Sequence, residues 1–280
     1  MASLVLGLVA AFCWGVHDLL VRKVSAAEGT FAALLSVLVF GTLFAVPLAL
    51  VWGAPVQVPP QAYLRAIIAG LFYACAGIGL YKAFEIGPVR LVAPIIGAYP
   101  ILSMLWATYL GSPLHAGHWA AVLVVIGGVA FIAVSSDDGA SQGQKRAAIS
   151  WSLMSGAGFA IAFAFSQSAT QLSDEWTVMI PLRVTALAAT LAVALMLRVR
   201  IWPRLGSLWI FAIMGALDVT ALLAVSAAGG RAYPEFAAVG ASTFGLVTVV
   251  LASIFLRESL KWVQWGAVLA VFAAIGSLGL

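Results

Sequence analysis

The sequence is a succession of apolar runs, each about twenty residues long, separated by short polar stretches. A helix of about 20 apolar residues is long enough to cross a hydrocarbon core of about 30 Å. Only 9% of the 280 residues are charged, whereas a soluble domain carries about 25% charged residues to keep its surface hydrated. The outer surface of this chain must therefore face lipid. The sequence predicts an all-α membrane protein.

The apolar runs predict ten transmembrane helices. Arg22-Lys23 ends the first run, Pro59-Pro60 precedes the third, and Gly87-Pro88 separates the third from the fourth. The predicted helices cover residues 3–22, 31–51, 63–84, 88–110, 117–136, 147–168, 175–197, 205–226, 234–256 and 261–280. Ten such helices leave room for short loops and for no separate soluble domain.

The two halves of the chain resemble each other. Residues 109–123 and 255–269 are related by a shift of 146 residues, with identities at Leu110/Leu256, Leu114/Leu260, Trp119/Trp265 and a final Ala-Val-Leu triplet. The longest polar stretch, residues 137–146, lies between the halves. Because five helices are an odd number, the second half must begin on the opposite side of the membrane. The sequence predicts two inverted five-helix repeats, 1–136 and 147–280, joined by a linker at 137–146.

The basic residues predict the orientation. Eleven lie in or beside the loops after helices 1, 3, 5, 7 and 9: Arg22, Lys23, Lys82, Arg90, Lys145, Arg146, Arg198, Arg200, Arg204, Arg257 and Lys261. Three, Arg65, Arg183 and Arg231, lie elsewhere. The positive-inside rule then places both termini outside the cytoplasm. The net charge of +4 is explained by this asymmetry, so no nucleic-acid partner is predicted.

The sequence lacks the local motifs of an enzyme. It contains no phosphate-binding loop, no His-Glu-x-x-His and no Cys-x-x-Cys. Cys13 and Cys75 lie inside apolar runs at no metal-ligand spacing, and His115 and His118 flank a short loop without a third ligand nearby. We predict that the protein is not an enzyme and that it has no cofactor and no metal site.

Ionisable residues inside the predicted helices are candidates for coupling transport to protons. Each costs roughly 2.5–3.5 kcal/mol at a helix centre and so needs a partner or a wet cavity. Asp218 lies within the eighth predicted helix, Arg183 within the seventh, and His17-Asp18 near the end of the first. Asp18 and Asp218 are therefore coupling candidates. The structural alternative is that Asp218 pairs with Arg183 and Asp18 with Arg22, four residues later.

Aromatic residues within the helices predict a substrate cavity. Ring faces suit amphipathic solutes and offer cation–π contacts to an ammonium group. The alternative is ordinary helix packing, although a buried tyrosine hydroxyl needs a hydrogen-bond partner. The predicted substrate-binding residues are Trp14, His17, Tyr73, Tyr81, Tyr99, Phe159, Phe163 and Ser242.

Helix-breaking residues recur at corresponding places in the two halves. Pro94 and Pro100 interrupt the fourth helix, with Gly97 between them, and Gly240 and Gly245 lie in the corresponding part of the ninth helix. Such positions favour the hinge or gate of an alternating-access transporter. Close helix contact at small residues is the alternative.

These features together resemble one known family. Trp14-Gly15 in the first helix and the loops Leu110-Gly111-Ser112 and Leu256-Arg257-Glu258 are similar to the drug/metabolite transporter superfamily, EamA-type, and most of all to bacterial aromatic amino-acid exporters. In EamA-type members that loop often reads Leu-Gly-Glu, and here only the second copy keeps the glutamate. The resemblance implies two five-helix repeats and places the family's cavity aromatics on Trp14, Tyr99 and Phe159.

Three hypotheses follow for function. The first is a secondary transporter that exports amino acids, aromatic and other neutral ones, or similar small metabolites by alternating access. The second is a multidrug transporter that extrudes lipophilic cations and needs a membrane carboxylate. The third, a membrane enzyme acting on lipids, is disfavoured because no His, Asp and Glu cluster lies near a membrane interface. The expected partners are a small-molecule substrate and the lipid bilayer, and a monomer suffices because two halves complete one pathway.

The predicted orientation can be tested by labelling single cysteines introduced at Ser3 and at Gln142. We expect a membrane-impermeant thiol reagent to label the cysteine at Ser3 in intact cells and the one at Gln142 only after permeabilisation. Labelling at Ser3 that requires permeabilisation would show that the orientation is wrong.

Overall fold

A computed structural model describes residues 2–53, 58–102, 105, 116–135, 141–231, 235–257 and 260–277. These residues are helical and contain no strand. The helices are α1 (Ala2–Glu28), α2 (Thr30–Trp52), α3 (Pro60–Ile86), α4 (Val89–Gly97), α5 (Ala116–Ser135), α6 (Gln142–Thr170), α7 (Glu175–Met196), α8 (Leu208–Ala227), α9 (Glu235–Ser242), α10 (Phe244–Leu251) and α11 (Trp262–Ser277). Turns of 3₁₀-helix, Leu205–Ser207 and Ala228–Gly230, flank α8, and a π-helical turn, Ala252–Leu256, follows α10.

Seven helical segments of the described chain are long and apolar enough to cross a membrane. They are Ala2–Glu28, Thr30–Trp52, Pro60–Ile86, Gln142–Thr170, Glu175–Met196, Leu205–Gly230 and Ala237–Phe255. Three shorter apolar helices are Val89–Leu102, Trp119–Gly128 and Trp262–Ser277. The prediction of an all-α membrane protein is confirmed. Ten membrane crossings arranged as two repeats stay a prediction.

Several sequence predictions fall on residues outside the described part of the chain. These are the first four residues of the linker (137–140), the first copy of the family loop (110–114), Glu258 of the second copy, and His115.

The helices pack into one bundle. In it, α3 packs against α6 and α7, while α8 packs against α1 and α2. In addition, α1 packs against α9 and α10, and α4 packs against α6 and α10. Finally, α2 contacts α7, and α5 contacts α11. The side chains that point into the bundle from α1, α3, α6 and α8 form its core.

Small residues let several of these helices approach closely. A Cβ atom added to Gly158 of α6 would lie 2.9 Å from the backbone nitrogen of Ala76 in α3. One added to Gly215 of α8 would lie 2.6 Å from the backbone nitrogen of Gly41 in α2. Lipid tails are as apolar as leucine, so helix association in a membrane relies on such close packing.

Two helical segments are broken at equivalent positions. The first, α4, ends at Gly97, and the chain turns at Ala98–Tyr99 before the helix resumes at Pro100. In the second half α9 ends at Ser242 and α10 begins after Thr243. Thr243 lies 146 residues after Gly97, which is the shift that relates the two halves of the sequence.

The two breaks also meet in space. A Cβ atom on Gly97 would lie 3.0 Å from the carbonyl oxygen of Ser242, and one on Gly245 would lie 2.9 Å from that of Ala93. Gly240 contacts α1 instead, because a Cβ there would lie 3.2 Å from the Cα atom of Gly7. Both glycines at the crossing thus have a packing role, and their role as a hinge stays a prediction.

The close crossing of α3 and α6 predicts a large difference between two glycine-to-valine substitutions. We expect Gly158→Val to destabilise the protein by about 1–3 kcal/mol, because the new side chain must push α3 away. Gly266→Val is the matched control, since no atom lies within 4 Å of a Cβ at that helical glycine. Thermal unfolding of the purified proteins in detergent measures both. Equal melting temperatures would contradict the packing argument.

Candidate functional site

A small cavity lies in the centre of the bundle. Trp14 and Tyr73 of its wall stand near the middle of two 27-residue helices, about 20 Å from each helix end at 1.5 Å per residue. The free volume is about 30 Å³, enough for one or two water molecules. The lining residues are Trp14, His17, Asp18, Leu34, Val37, Leu38, Tyr73, Gly77, Leu80, Tyr81, Tyr99, Phe159, Phe163, Asp218 and Phe244.

Helical spacing explains how these side chains come to share one cavity. Residues three or four positions apart in a helix lie on the same face. Trp14, His17 and Asp18 are spaced in this way along α1. Tyr73 and Tyr81 are eight residues apart in α3, so they lie two turns apart on one face. Such spacing can be read from the sequence once the buried face of each helix is known.

Stacked and edge-on rings form one wall of the cavity. Trp14 stacks on Phe163 with ring centroids 5.2 Å apart, and Phe163 stacks on Phe159 at 5.3 Å. Tyr99 meets Phe163 edge-on at 5.4 Å, and Tyr73 meets Phe159 edge-on at 5.7 Å. Both arrangements fall within the preferred centroid distances of about 4.5–7 Å. The rings therefore form a continuous aromatic surface.

A buried ion pair closes the cavity on the side of α7 and α8. Arg183 Nη1 donates to Asp218 Oδ2. The other carboxylate oxygen, Oδ1, accepts hydrogen bonds from the Tyr73 hydroxyl and, at 3.3 Å, from Trp14 Nε1. Both oxygens of Asp218 are thus occupied, and its charge is balanced.

The guanidinium group of Arg183 lies behind Asp218, against the backbone of α2. Its Nη2 atom is 3.3 Å from each of the carbonyl oxygens of Val37 and Leu38. This approach requires Gly41, because a Cβ atom there would collide with the guanidinium group. Arg183 is fully buried and does not line the cavity. Of the two interpretations of Asp218, the structure contains the ion pair, and a role in coupling stays a prediction.

Asp18 has a different environment. Its Oδ1 atom lies 3.1 Å from His17 Nδ1, and His17 Nε2 lies 3.2 Å from the Tyr81 hydroxyl. The second oxygen, Oδ2, is buried without a hydrogen-bond partner among the described residues. The alternative in which Asp18 pairs with Arg22 is wrong, because Arg22 reaches α3 and donates to the Phe84 carbonyl at 2.6 Å.

The structure leaves one predicted substrate residue outside the cavity. Ser242 is buried at the end of α9, where its hydroxyl donates to the Val239 carbonyl at 2.7 Å. Conversely, Phe244 lines the cavity, although the sequence did not single it out. It follows the break at Thr243, just as Tyr99 belongs to the break in the first half. The repeat was the signal that could have identified Phe244.

Charged and aromatic side chains around a closed cavity, midway along membrane-length helices, define an integral membrane protein with an internal polar site. The sequence profile of the EamA-like transporter family matches residues 1–134. The resemblance to EamA-type transporters of the drug/metabolite transporter superfamily is therefore confirmed over this part of the chain.

Two further proteins are similar to this chain. An uncharacterized transporter of Archaeoglobus fulgidus is 26% identical over 158 residues, which are 55% of this chain and 57% of that protein. The chain thus aligns with little more than half the length of this relative. One solved crystal structure covers 100% of this chain and 98% of its own, with a TM-score of 0.73 and 15% identity. That likeness shows the fold alone.

The buried ion pair predicts strongly coupled effects on stability. We expect Asp218→Asn to lower the free energy of unfolding by about 3–5 kcal/mol, because Arg183 is left buried without its counter-charge. Arg183→Met should lower the free energy of unfolding by a similar amount, because it leaves the Asp218 carboxylate buried without its counter-charge. The double variant Asp218→Asn/Arg183→Met should lose less free energy of unfolding than the sum of the two single losses, by about 1–3 kcal/mol. Unfolding in detergent measures the cycle, and strictly additive losses would contradict it.

Proposed function

We propose that this protein is a secondary transporter that exports amino acids, aromatic and other neutral ones, or similar small metabolites by alternating access. The observation that carries the proposal is the internal cavity at mid-membrane depth in the described part of the chain. Residues of both halves line it, from Trp14 to Tyr99 in the first and from Phe159 to Phe244 in the second. The match to a transporter family supports it.

Helix packing supports two related repeats at 1–136 and 147–280. Let α1 correspond to α6, α2 to α7, α3 to α8, α4 to α9 and α10, and α5 to α11. Under this exchange the packing of α3 on α6 and α7 becomes the packing of α8 on α1 and α2, and both are present. The pairs α2 with α7, α4 with α10, and α5 with α11 join equivalent helices. This is the pattern expected around a two-fold axis.

The closed cavity supports a rearrangement during transport. Sites for small molecules have volumes of about 300–1,000 Å³, whereas this cavity has about 30 Å³. A solute must therefore part the helices before it can bind. The breaks at Ala98–Tyr99 and Thr243 allow the helical segments on either side to move separately, with Pro94, Gly97, Pro100, Gly240 and Gly245 as the proposed hinge.

The aromatic wall supports substrates with a flat, apolar part. In the open form Trp14, Tyr99 and Phe159 would contact the solute, and its ring would replace the ring-to-ring contacts seen in the closed cavity. Because one chain supplies all walls of the cavity, a monomer is sufficient. The basic residues support a location in the inner membrane with the linker in the cytoplasm.

Extrusion of lipophilic cations is the second candidate. The observation that favours it is the Asp18 carboxylate, which faces an aromatic cavity and keeps one oxygen without a partner. Asp218 is a poor choice for the essential carboxylate, because Arg183 already balances its charge. A large hydrophobic cation that is transported faster than any amino acid would favour this candidate.

Transport by purified protein in liposomes tests the proposal. Liposomes preloaded with radiolabelled phenylalanine should release it faster when they contain the protein. Trp14→Ala should slow release by at least about tenfold, because truncating a tryptophan in a binding site costs about 2 kcal/mol or more. Trp209→Ala is the matched control, since Trp209 is 66% exposed on the outside of α8.

The proposal for amino acids fails if the release of phenylalanine and of the other neutral amino acids never exceeds that from protein-free liposomes. An equal effect of the two tryptophan variants would instead show that the cavity is not the transport site.

A further inference from the structure

The Asp18 carboxylate is the polar group of the cavity whose bonding is incomplete. The residue is 1% exposed and lines the cavity. One oxygen faces His17 at 3.1 Å, and the other, Oδ2, has no hydrogen-bond partner among the described residues. A buried carboxylate is stable only when it is paired or protonated. The open position at Oδ2 therefore requires a cation or a proton.

The charges around the cavity show which sign of solute completes it. Asp218 is balanced by Arg183, so this pair contributes no net charge. When the Tyr81 hydroxyl donates to His17 Nε2, the imidazole is neutral and its Nδ1 hydrogen points to Asp18. The cavity then carries the single negative charge of Asp18. A cation neutralises it, whereas an anion doubles the unbalanced charge.

The lining residues offer no site for a carboxylate group. Within the described chain neither lysine nor arginine lines the cavity. Arg183 is held behind Asp218 by the carbonyl groups of Val37 and Leu38. In contrast, the ring of Trp14 and those of Phe159 and Phe163 line the same cavity as Asp18. An ammonium group there gains an ion pair and cation–π contacts together.

We infer that Asp18 recognises the ammonium group of the transported solute, so that the site selects aromatic amines and amino acids through their amine and does not require a carboxylate. This inference rests on the proposed function, because it names the group that the transport cavity binds. The ammonium group and a proton compete for the same oxygen, Oδ2. Binding of the solute therefore displaces the proton that otherwise neutralises Asp18.

His17 and Tyr81 act as positioning residues for this carboxylate, since they hold one oxygen and leave the other without a partner among the described residues. The titratable groups near Asp18 are His17 on its own helix, Tyr73 and Tyr81 on α3, and Asp218 on α8 with Arg183 behind it. The neighbouring helices α2 and α10 contribute only apolar side chains to the cavity in the described chain: Leu34, Val37, Leu38 and Phe244.

Two probes that share a phenylethyl group and carry opposite charges test the inference. Binding of 2-phenylethylamine and of 3-phenylpropanoate to the purified protein in detergent is measured by isothermal titration calorimetry. We expect the amine to bind at least about tenfold more tightly. Lowering the pH into the range where Asp18 takes up a proton should weaken amine binding, because protons then compete for Asp18 while the amine itself stays charged.

Three variants assign the effect to Asp18. Asp18→Asn should lose the preference for the amine and its pH dependence, and Asp18→Glu should retain both. Glu175→Gln, a change of a carboxylate outside the cavity, should behave like the unmodified protein. Thermal unfolding and gel filtration verify that each variant is folded.

Two results would overturn the inference. One is equal or tighter binding of 3-phenylpropanoate by the unmodified protein, or binding of neither probe. The other is an unchanged preference for the amine in folded Asp18→Asn. Because these measurements need no transport, they separate the two proposals. Amine binding without release of amino acids from liposomes would contradict the proposed function alone, and release without a preference for the amine would contradict only the role of Asp18.

Discussion

The ion pair between Arg183 and Asp218 is the interaction on which the centre of this protein depends. A charge at mid-membrane depth needs a partner of opposite sign or a water-filled cavity. Asp218 of α8 receives Arg183 from α7, Tyr73 from α3 and Trp14 from α1. The arginine in turn bonds to carbonyl groups of α2. One carboxylate thereby joins five helices and fixes the rings that form the cavity wall.

Glycine makes this network sterically possible. The guanidinium group occupies the space that a side chain at Gly41 would fill, and Gly215 brings α8 against the same part of α2. Asp218 lies three residues after Gly215, so the close crossing delivers the carboxylate to the arginine. The network also explains why the two buried aspartates differ. Asp218 is surrounded by donors, whereas Asp18 lines the cavity and keeps one oxygen without a partner among the described residues.

Composition and hydrophobic patterning were sufficient to predict the class of fold, because a chain with so few charges has no alternative to lipid. Nine of the ten residues predicted to bind substrate or to couple transport line one cavity. Helical spacing explains this, because it aligns the selected residues of each helix on one face. Ser242 was the exception. A short hydroxyl side chain bonds readily to its own helix backbone, and the sequence does not reveal which way it points.

The partners of the charged residues could not be predicted from local spacing. Arg22 lies one turn after Asp18, yet it donates to a carbonyl group of α3 at the helix end. The break at Thr243 lies between Gly240 and Gly245, the two glycines of the predicted hinge, although no proline marks it as Pro94 and Pro100 mark the first break. The partner of Arg22, in contrast, arises from packing between segments that are distant in sequence.

The contrast between the two carboxylates has a consequence for the transport cycle. Closing a cavity around a carboxylate removes water from it, which raises the free energy of the charged form unless a cation is present. The cavity therefore closes most readily when Asp18 holds either a proton or the ammonium group of a solute. A site that is empty and ionised favours the open form on either side of the membrane. If Asp18 binds the ammonium group as proposed, the two cations exclude each other, and movement of the solute in one direction would be accompanied by return of a proton. The pair of Asp218 and Arg183 is already balanced and needs neither cation.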